Sequence, residues 1–323
     1  MKGVPTTTAD LVRDYGISPI YARTLAYLSE TEDAEFDIAE RIASKPRPFV
    51  KWVGGKRQLI KQFRELGLYP PEEFDPIKST YYEPFAGGGA VFFDLLPHKA
   101  VLSDLNLELV TAYNVIKNDV ESLIKLLKKH EVNKEYYLTI RALDVNKLNP
   151  VGVASRFIYL NRTGFNGLYR VNRSGQFNVP FGKNGNPTIC DEDNLRNVSR
   201  ALQHVDILHQ SFQHVLKTAK KGDFIYLDPP YHPLNATSSF TSYTKESFCA
   251  SDQVELRDTF VELSKRGCYV MLSNSDSNFI NDIYSEVKGV RIAKIFATRS
   301  INSVGTGRGK IREVLVTNYC HEI

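Results

Sequence analysis

Apolar residues along this chain follow two different periods, and the switching between them gives the first structural information. Short β-prone runs read as strands: STYYEPF (79–85), KAVLSD (99–104), DFIYLD (223–228), CYVMLS (268–273), VRIAKIFA (290–297) and REVLVTNY (312–319). Between them, LELVTAYNVI, DQVELRDTFVELSKRG (252–267) and FINDIYSEV space their apolar residues as helices do. Strands alternating with helices predict an α/β fold, its sheet mostly parallel and interrupted by a large insertion. Near the N-terminus, ADLVRDYGISPIYARTLAYLSE has helical spacing broken at Gly16 and at Ser18-Pro19. That pattern fits a helix-turn-helix or a helical hairpin packed on the core. ASKPRPF (43–49) reads as a linker.

Composition narrows the class. Of 323 residues, 42% are hydrophobic and 24% charged, as in ordinary globular proteins. No apolar run approaches the roughly 20 residues of a membrane span, and MKGVPTTTADLVRDYG lacks the apolar centre of a signal peptide. Four dispersed cysteines with no CxxC pair suggest neither a zinc site nor a disulfide framework. A cytoplasmic protein without metal or membrane attachment, acting as a monomer, is expected.

The net charge of +4 is small, but its distribution is uneven. Val145 to Cys190 contains no Asp or Glu, where about five would be expected at the chain average. The stretch carries Lys147, Arg156, Arg162, Arg170, Arg173 and Lys183, interleaved with Phe157, Tyr159, Phe165, Tyr169, Phe177 and Phe181. A basic surface with flat apolar groups suits nucleic acid; a loop-rich subdomain with an aromatic core has the same composition.

Three motifs carry candidate chemistry. In IYLDPPYHPL (225–234), prolines stop an apolar strand and hold Asp228 at its end on stiff backbone. An acid, a rigid carbonyl and an aromatic ring there could grip a planar amine; a strand and turn is the plainer reading. FAGGGA (85–90) lies between a strand and a helix, where glycines allow close backbone approach to a ligand. Asp104 ends the next strand, the usual place for an acid that accepts from ribose hydroxyls. FVKWVGGKRQLI (49–60) places the single tryptophan, Trp52, beside Gly54-Gly55 and cations.

In chain order, KWVGGK, FAGGGAVF, SDLN, NRTGFNGLYRVNRSGQFNVPFGK (161–183) and DPPY together resemble the Dam-type DNA adenine-N6 methyltransferases. The resemblance runs from about Phe49 to Tyr319. It implies a Rossmann-like methyltransferase fold with helices flanking the sheet. Residues 46–130 and 205–323 would form the catalytic domain, 131–204 a helical and loop-built target-recognition domain, and 1–45 a helical extension outside the resemblance. It implies S-adenosyl-L-methionine as cofactor, contacted by Trp52, Lys56, Phe85, Gly87, Gly89, Asp104 and Asp228. The substrate would be double-stranded DNA with its target adenine flipped out. Asp228 and the Pro229 carbonyl would then hold N6, and Tyr231 would stack on the base.

The same resemblance assigns Arg170 and Lys51 to guanines of GATC, and Leu168 and Pro180 to the thymine methyl and neighbouring bases. Phe165 and Asn166 match the residues that wedge into the duplex. Lys183 and the loop TRSINSVGTGRGK (298–310), with Arg299 and Arg308, would join the DNA contacts. Where GATC enzymes carry a tyrosine after the block's last basic residue, this chain has Asn184. Competing readings are amino-methylation of cytosine N4, RNA adenine or a protein amide, and a catalytically silent DNA-binding regulator. Cytosine-C5 chemistry is disfavoured because no cysteine follows a proline.

Overall fold

The computed structural model describes residues 7–31, 37–182, 185–234, 248–298 and 310–319. Seven strands build one sheet: β1 (Tyr81–Glu83), β2 (Ala100–Asp104), β3 (Val205–His209), β4 (Phe224–Leu227), β5 (Tyr269–Ser275), β6 (Arg291–Thr298) and β7 (Lys310–Thr317). Their order is β3-β2-β1-β4-β5-β7-β6. The first five are parallel, and β7 runs antiparallel between β5 and β6. The central strands are buried on both faces, β4 completely, which is why FIYL reads as a continuous apolar run without alternation. Parallel strands send their C-terminal ends to one edge. The order reverses between β1 and β4, and ligand crevices in open α/β sheets form at that kind of reversal.

The strands expected from sequence are all present, and β3 is an addition. Its sequence VDILH exposes Asp206 and His209 at the sheet edge, so it lacks the apolar run that marks its neighbours. Helices α4 (Arg57–Glu65) and α5 (Ala90–Leu95) precede and follow β1, and α6 (Leu107–Asn118), α7 (Val120–Leu127), α8 (Lys134–Ala142), α9 (Pro150–Thr163) and α10 (Glu192–Ala201) lie between β2 and β3. The short α11 (Val215–Thr218) leads to β4; α12 (Ala250–Lys265) and α13 (Asn278–Ser285) flank β5. None of the described helices is long and apolar enough to cross a membrane.

At the N-terminus, α1 (Thr8–Tyr15) ends at Gly16, whose φ of 63° is in the left-handed region, and α2 (Pro19–Thr31) starts at the expected proline. Together they place Leu11, Ile20, Tyr21, Ala22 and Leu25 in the main core, as a packed hairpin does. After α3 (Ile38–Ala43), the segment expected to be a linker is tied down instead. The Arg47 amide donates to Asn194 Oδ1, the Arg47 guanidinium pairs with Asp191 at 2.6 Å, and Phe49 is buried. Its partners lie almost 150 residues away, beyond the reach of local pattern.

Helix α9 is shared between two cores. Ala154, Phe157 and Ile158 belong to the main cluster, while Tyr159 and Leu160 join Tyr137, Phe177 and Val179 in a smaller one. Arg156 on the same helix is 4% exposed and ties these parts together. It donates to Glu108 Oε2 on α6 at 2.8 Å and to the carbonyls of Ile140 and Arg141, and Glu108 also accepts from Tyr169. Arg156→Ala leaves the Glu108 carboxylate without its cation and should lower stability by about 3–5 kcal/mol. Urea unfolding measures this, and a loss below about 1 kcal/mol would show that the pair carries no such weight.

Candidate active site

Two strand ends and one glycine loop meet at the crevice. Asp104, the last residue of β2, accepts from the Gly87 amide at 3.0 Å and from the Asn106 amide at 2.9 Å. Burial raises the Asp104 pKa, opposed by those backbone N–H groups. An ionised carboxylate has about four acceptor sites, so acceptor capacity remains after the loop is pinned. The loop requires glycine for a packing reason. Gly87 has φ 47°, and a Cβ there would stand 2.6 Å from Trp52 Cδ1; at Gly89 (φ 67°) it would meet the Tyr113 hydroxyl at 2.7 Å. Trp52, half-buried, thus lies directly on the loop, with Tyr169 stacked on it at 6.0 Å.

Phe85 begins this loop and stacks on Phe212 at 5.6 Å, with Phe248 edge-on at 5.9 Å. Phe212 and Phe248 were not legible as site residues. The first follows the unmarked edge strand β3, and the second precedes α12, so only the fold brings them to Phe85.

At the end of β4, Asp228 forms a short ion pair with Lys56, Nζ to Oδ2 2.8 Å. Lys56 is 4% exposed, donates also to the Gly54 carbonyl at 2.5 Å, and lies 4.9 Å from the centre of the Tyr231 ring. The sequence expectation grouped Lys56 with the cofactor contacts; the structure sets it on the aspartate. Asp228 Oδ1 is buried and has no hydrogen-bond partner among the described residues. Burial raises the Asp228 pKa, and the adjacent ammonium and, less strongly, the nearby Tyr231 hydroxyl oppose that rise. A half-satisfied buried carboxylate costs free energy unless another donor arrives.

The segment after Asp228 is fixed by distant polar groups. Gln253 donates to the Pro230 carbonyl at 2.9 Å, Asn274 accepts from the His232 amide at 3.1 Å and donates to Gln253, and Ser275 donates to the His232 carbonyl at 2.6 Å. The Tyr231 hydroxyl donates to Glu313 on β7 at 2.9 Å. Gln253, Asn274 and Glu313 lack a local motif, and their function as supports is visible only once β5 and β7 are placed beside β4.

The DNA-contact candidates divide into two groups. Lys51, Phe165, Asn166, Leu168, Arg170 and Pro180 come together around one turn and hairpin. Gly167 packs against Lys51, where a Cβ would stand 2.6 Å from the lysine's, and buried Asn161 joins both segments by bonds to Lys51 and to the Gly167 carbonyl. Phe165 is 43% exposed, and its amide bonds to the Pro180 carbonyl at 2.9 Å. Asn166 is in the left-handed region at φ 55°, a conformation asparagine tolerates better than most residues. Among the acid-free block's other side chains, Arg156 and Arg162 turn inward, Arg162 donating to the Phe49 carbonyl, and Phe157, Tyr159, Tyr169, Phe177 and Phe181 pack in the two cores. The block therefore supplies a core as well as a surface, and the exposed aromatic among those six is Phe165. Lys183, Asn184, Arg299 and Arg308 lie outside the described residues. No group of three or more His, Cys, Asp or Glu suited to a metal occurs among the described residues.

The sheet order, with β7 antiparallel between β5 and β6, is that of a Rossmann-like methyltransferase fold. Residues 52–301 match the family of D12 class N6 adenine-specific DNA methyltransferases, and the chain belongs to that family. It is 46% identical over 281 residues to the type II methyltransferase M1.LlaDCHI of Lactococcus lactis subsp. cremoris, covering 84% of this chain and 95% of that one. Identity to the type II methyltransferase M.MjaIII of Methanocaldococcus jannaschii is 44%, covering 84% and 99%. A DNA adenine methylase of Vibrio cholerae is 34% identical, covering 84% and 95%. The activity is accordingly methyl transfer to adenine N6 in DNA, from a methyl donor.

Beneath the crevice, Glu83 at the end of β1 is 3% exposed and accepts from Tyr81 Oη and the Phe92 amide. Burial pushes its pKa up to about 8, with the Tyr81 hydrogen bond opposing, so it is protonated near neutrality. The folded chain then holds a proton that the unfolded chain releases near 4.5. This stabilising term is complete below that value and is lost as pH rises through about 8. Glu83→Gln, neutral throughout, should fall in stability less steeply than the parent over that window. Urea midpoints at several pH values measure the slopes, and equal slopes would place the titration elsewhere.

Proposed function

We propose that the methyl donor is S-adenosylmethionine and that the target is an adenine rotated out of duplex DNA, within GATC or a close relative. The observation that carries this reading is Asp228: one oxygen held by Lys56, the other buried without a hydrogen-bond partner among the described residues, on backbone stiffened by Pro229 and Pro230. The crevice fits the donor. Asp104 has acceptor capacity left for ribose hydroxyls, Phe85 and Phe212 offer stacked aromatic surface for a purine, and Trp52 backs the glycine loop. When bound, S-adenosylmethionine supplies a methyl group activated by its sulfonium.

The residues of this chain prepare the nucleophile. Adenine N6 is weak because its lone pair is delocalised into the ring. Donating its hydrogens to Asp228 Oδ1 and the Pro229 carbonyl favours a more pyramidal nitrogen with an available lone pair. Fixed acceptors matter, since loss of orientation forfeits much of the rate. The bonds from Gln253 and Asn274 supply that fixity. Lys56 keeps Asp228 ionised against the cost of burial, and the raised pKa makes the carboxylate a better acceptor for the proton N6 must shed. Tyr231, anchored through Glu313, would stack on the extruded base.

Sequence reading would fall to the recognition hairpin. Lys51 and Arg170 would contact guanines, Leu168 and Pro180 the thymine edge, and Phe165 and Asn166 the space the adenine leaves, with Lys183, Arg299 and Arg308 on the backbone.

Asp228→Ala should abolish methyl transfer to DNA, and it should also lower stability by about 3–5 kcal/mol because the buried Lys56 ammonium loses its counter-charge, so the assay is run below the variant's unfolding midpoint. Single-turnover assays with labelled donor decide this, and near-normal turnover would end the proposed role. Arg170→Ala should relax discrimination at one base pair by roughly 1–3 kcal/mol and leave the other positions nearly intact. Rates on duplexes altered one position at a time provide the check. An equal slowing of every duplex would identify a phosphate contact instead.

A further inference from the structure

Arg170 is held in place before any DNA arrives. Its Nε donates to Asn178 Oδ1 at 2.7 Å, and its Nη2 donates to the Asn178 backbone carbonyl at 3.3 Å. The Asn178 amide returns a bond to the Arg170 carbonyl at 3.0 Å. A single residue, eight positions on, thus engages the side edge of the guanidinium. Among the described residues, Nη1 makes no hydrogen bond, so the end edge, Nη1 with the second hydrogen of Nη2, is left to the outside.

Everything around the pair makes it stiff. Val171 and Phe177 form an antiparallel bridge. Asn172 closes the tip, its Oδ1 accepting from the Ser174 and Gln176 amides and its Nδ2 donating to Gln176, with Gly175 at φ 78°. At the base, Phe177 and Val179 are buried beside Tyr137 and Tyr159. Asn178 stands between these two anchors, so its carbonyl and side-chain oxygen are fixed points.

We infer that Asn178 is a positioning residue for base recognition: it presents the end edge of the Arg170 guanidinium to a guanine. This rests on the proposed assignment of Arg170 as a base reader. The geometry suits that task because O6 and N7 of guanine accept two parallel N–H groups, and the end edge offers such a pair while the side edge is occupied. An arginine free to rotate would have to be ordered at every encounter.

The test measures methylation rates of the full chain on GATC duplexes and on single-base variants. Asn178→Ala should reduce discrimination at the same base pair as Arg170→Ala, by roughly 3- to 10-fold, the effect of ordering one rotamer-rich side chain on binding. It should add nothing to that ratio in an Arg170→Ala background. Asn178→Asp keeps the acceptor for Nε and should retain the ratio, even where the added charge slows all duplexes. Thermal unfolding of each variant checks the hairpin. A uniform slowing by Asn178→Ala with the ratio unchanged would overturn the inference, as would full additivity with Arg170→Ala or loss of the ratio in Asn178→Asp. If Arg170→Ala itself leaves base preference intact, the base-reading assignment falls first, and that outcome is distinct from failure at Asn178.

Discussion

The buried ion pair between Lys56 and Asp228 is the contact on which the arrangement of the site depends. A carboxylate at the end of a fully buried strand would otherwise take up a proton, and a protonated acid has a weaker hold on an amine. Lys56 offsets that tendency from the start of α4, 172 residues earlier in the chain. Breaking a buried pair by removing one partner typically costs about 3–5 kcal/mol, so the pair also fastens the start of α4 to the end of β4. Because Lys56 satisfies Oδ2 and leaves Oδ1 open, the fold has a place for one further donor. The proposed occupant is the target amine.

The remaining structure converts that single contact into a shaped crevice. Parallel strands deliver Asp104, Phe85 and Asp228 to one edge, and the reversal of strand order at β1 and β4 opens the gap between them. Trp52 links two segments that lie far apart in sequence. One side of its ring lies against the glycine loop, and Tyr169, the neighbour of Arg170, stacks on it. Arg156 and Glu108 then lock the hairpin-bearing insertion to the helix that follows Asp104. The insertion between β2 and β3 and the sheet are therefore packed together through α9 rather than joined by a flexible tether.

Much of this was legible because the relevant signals are local. Prolines after Asp228 mark a strand end, the glycine triplet marks a strand-to-helix turn, and Gly16 marks the break between α1 and α2. What stayed hidden depends on contacts across the sheet. Strand β3 lies at the sheet edge with Asp206 and His209 exposed, so no continuous apolar run announces it. The side chains of Arg156 and Arg162 have the composition of a DNA-binding surface and yet face inward, because Glu108 and the Phe49 carbonyl receive them. Asn161, Gln253 and Asn274 are ordinary polar residues in sequence, and each becomes a fixed support only when its distant partners are placed.

The most direct measurement of the central claim is a crystal structure of the chain with a GATC duplex and a non-reactive analogue of the donor. The account predicts the flipped adenine's exocyclic nitrogen at roughly 2.7–3.2 Å from Asp228 Oδ1 and from the Pro229 carbonyl, with Tyr231 against the ring face. An extruded base whose amine contacts neither acceptor, with Oδ1 still lacking a donor, would contradict it.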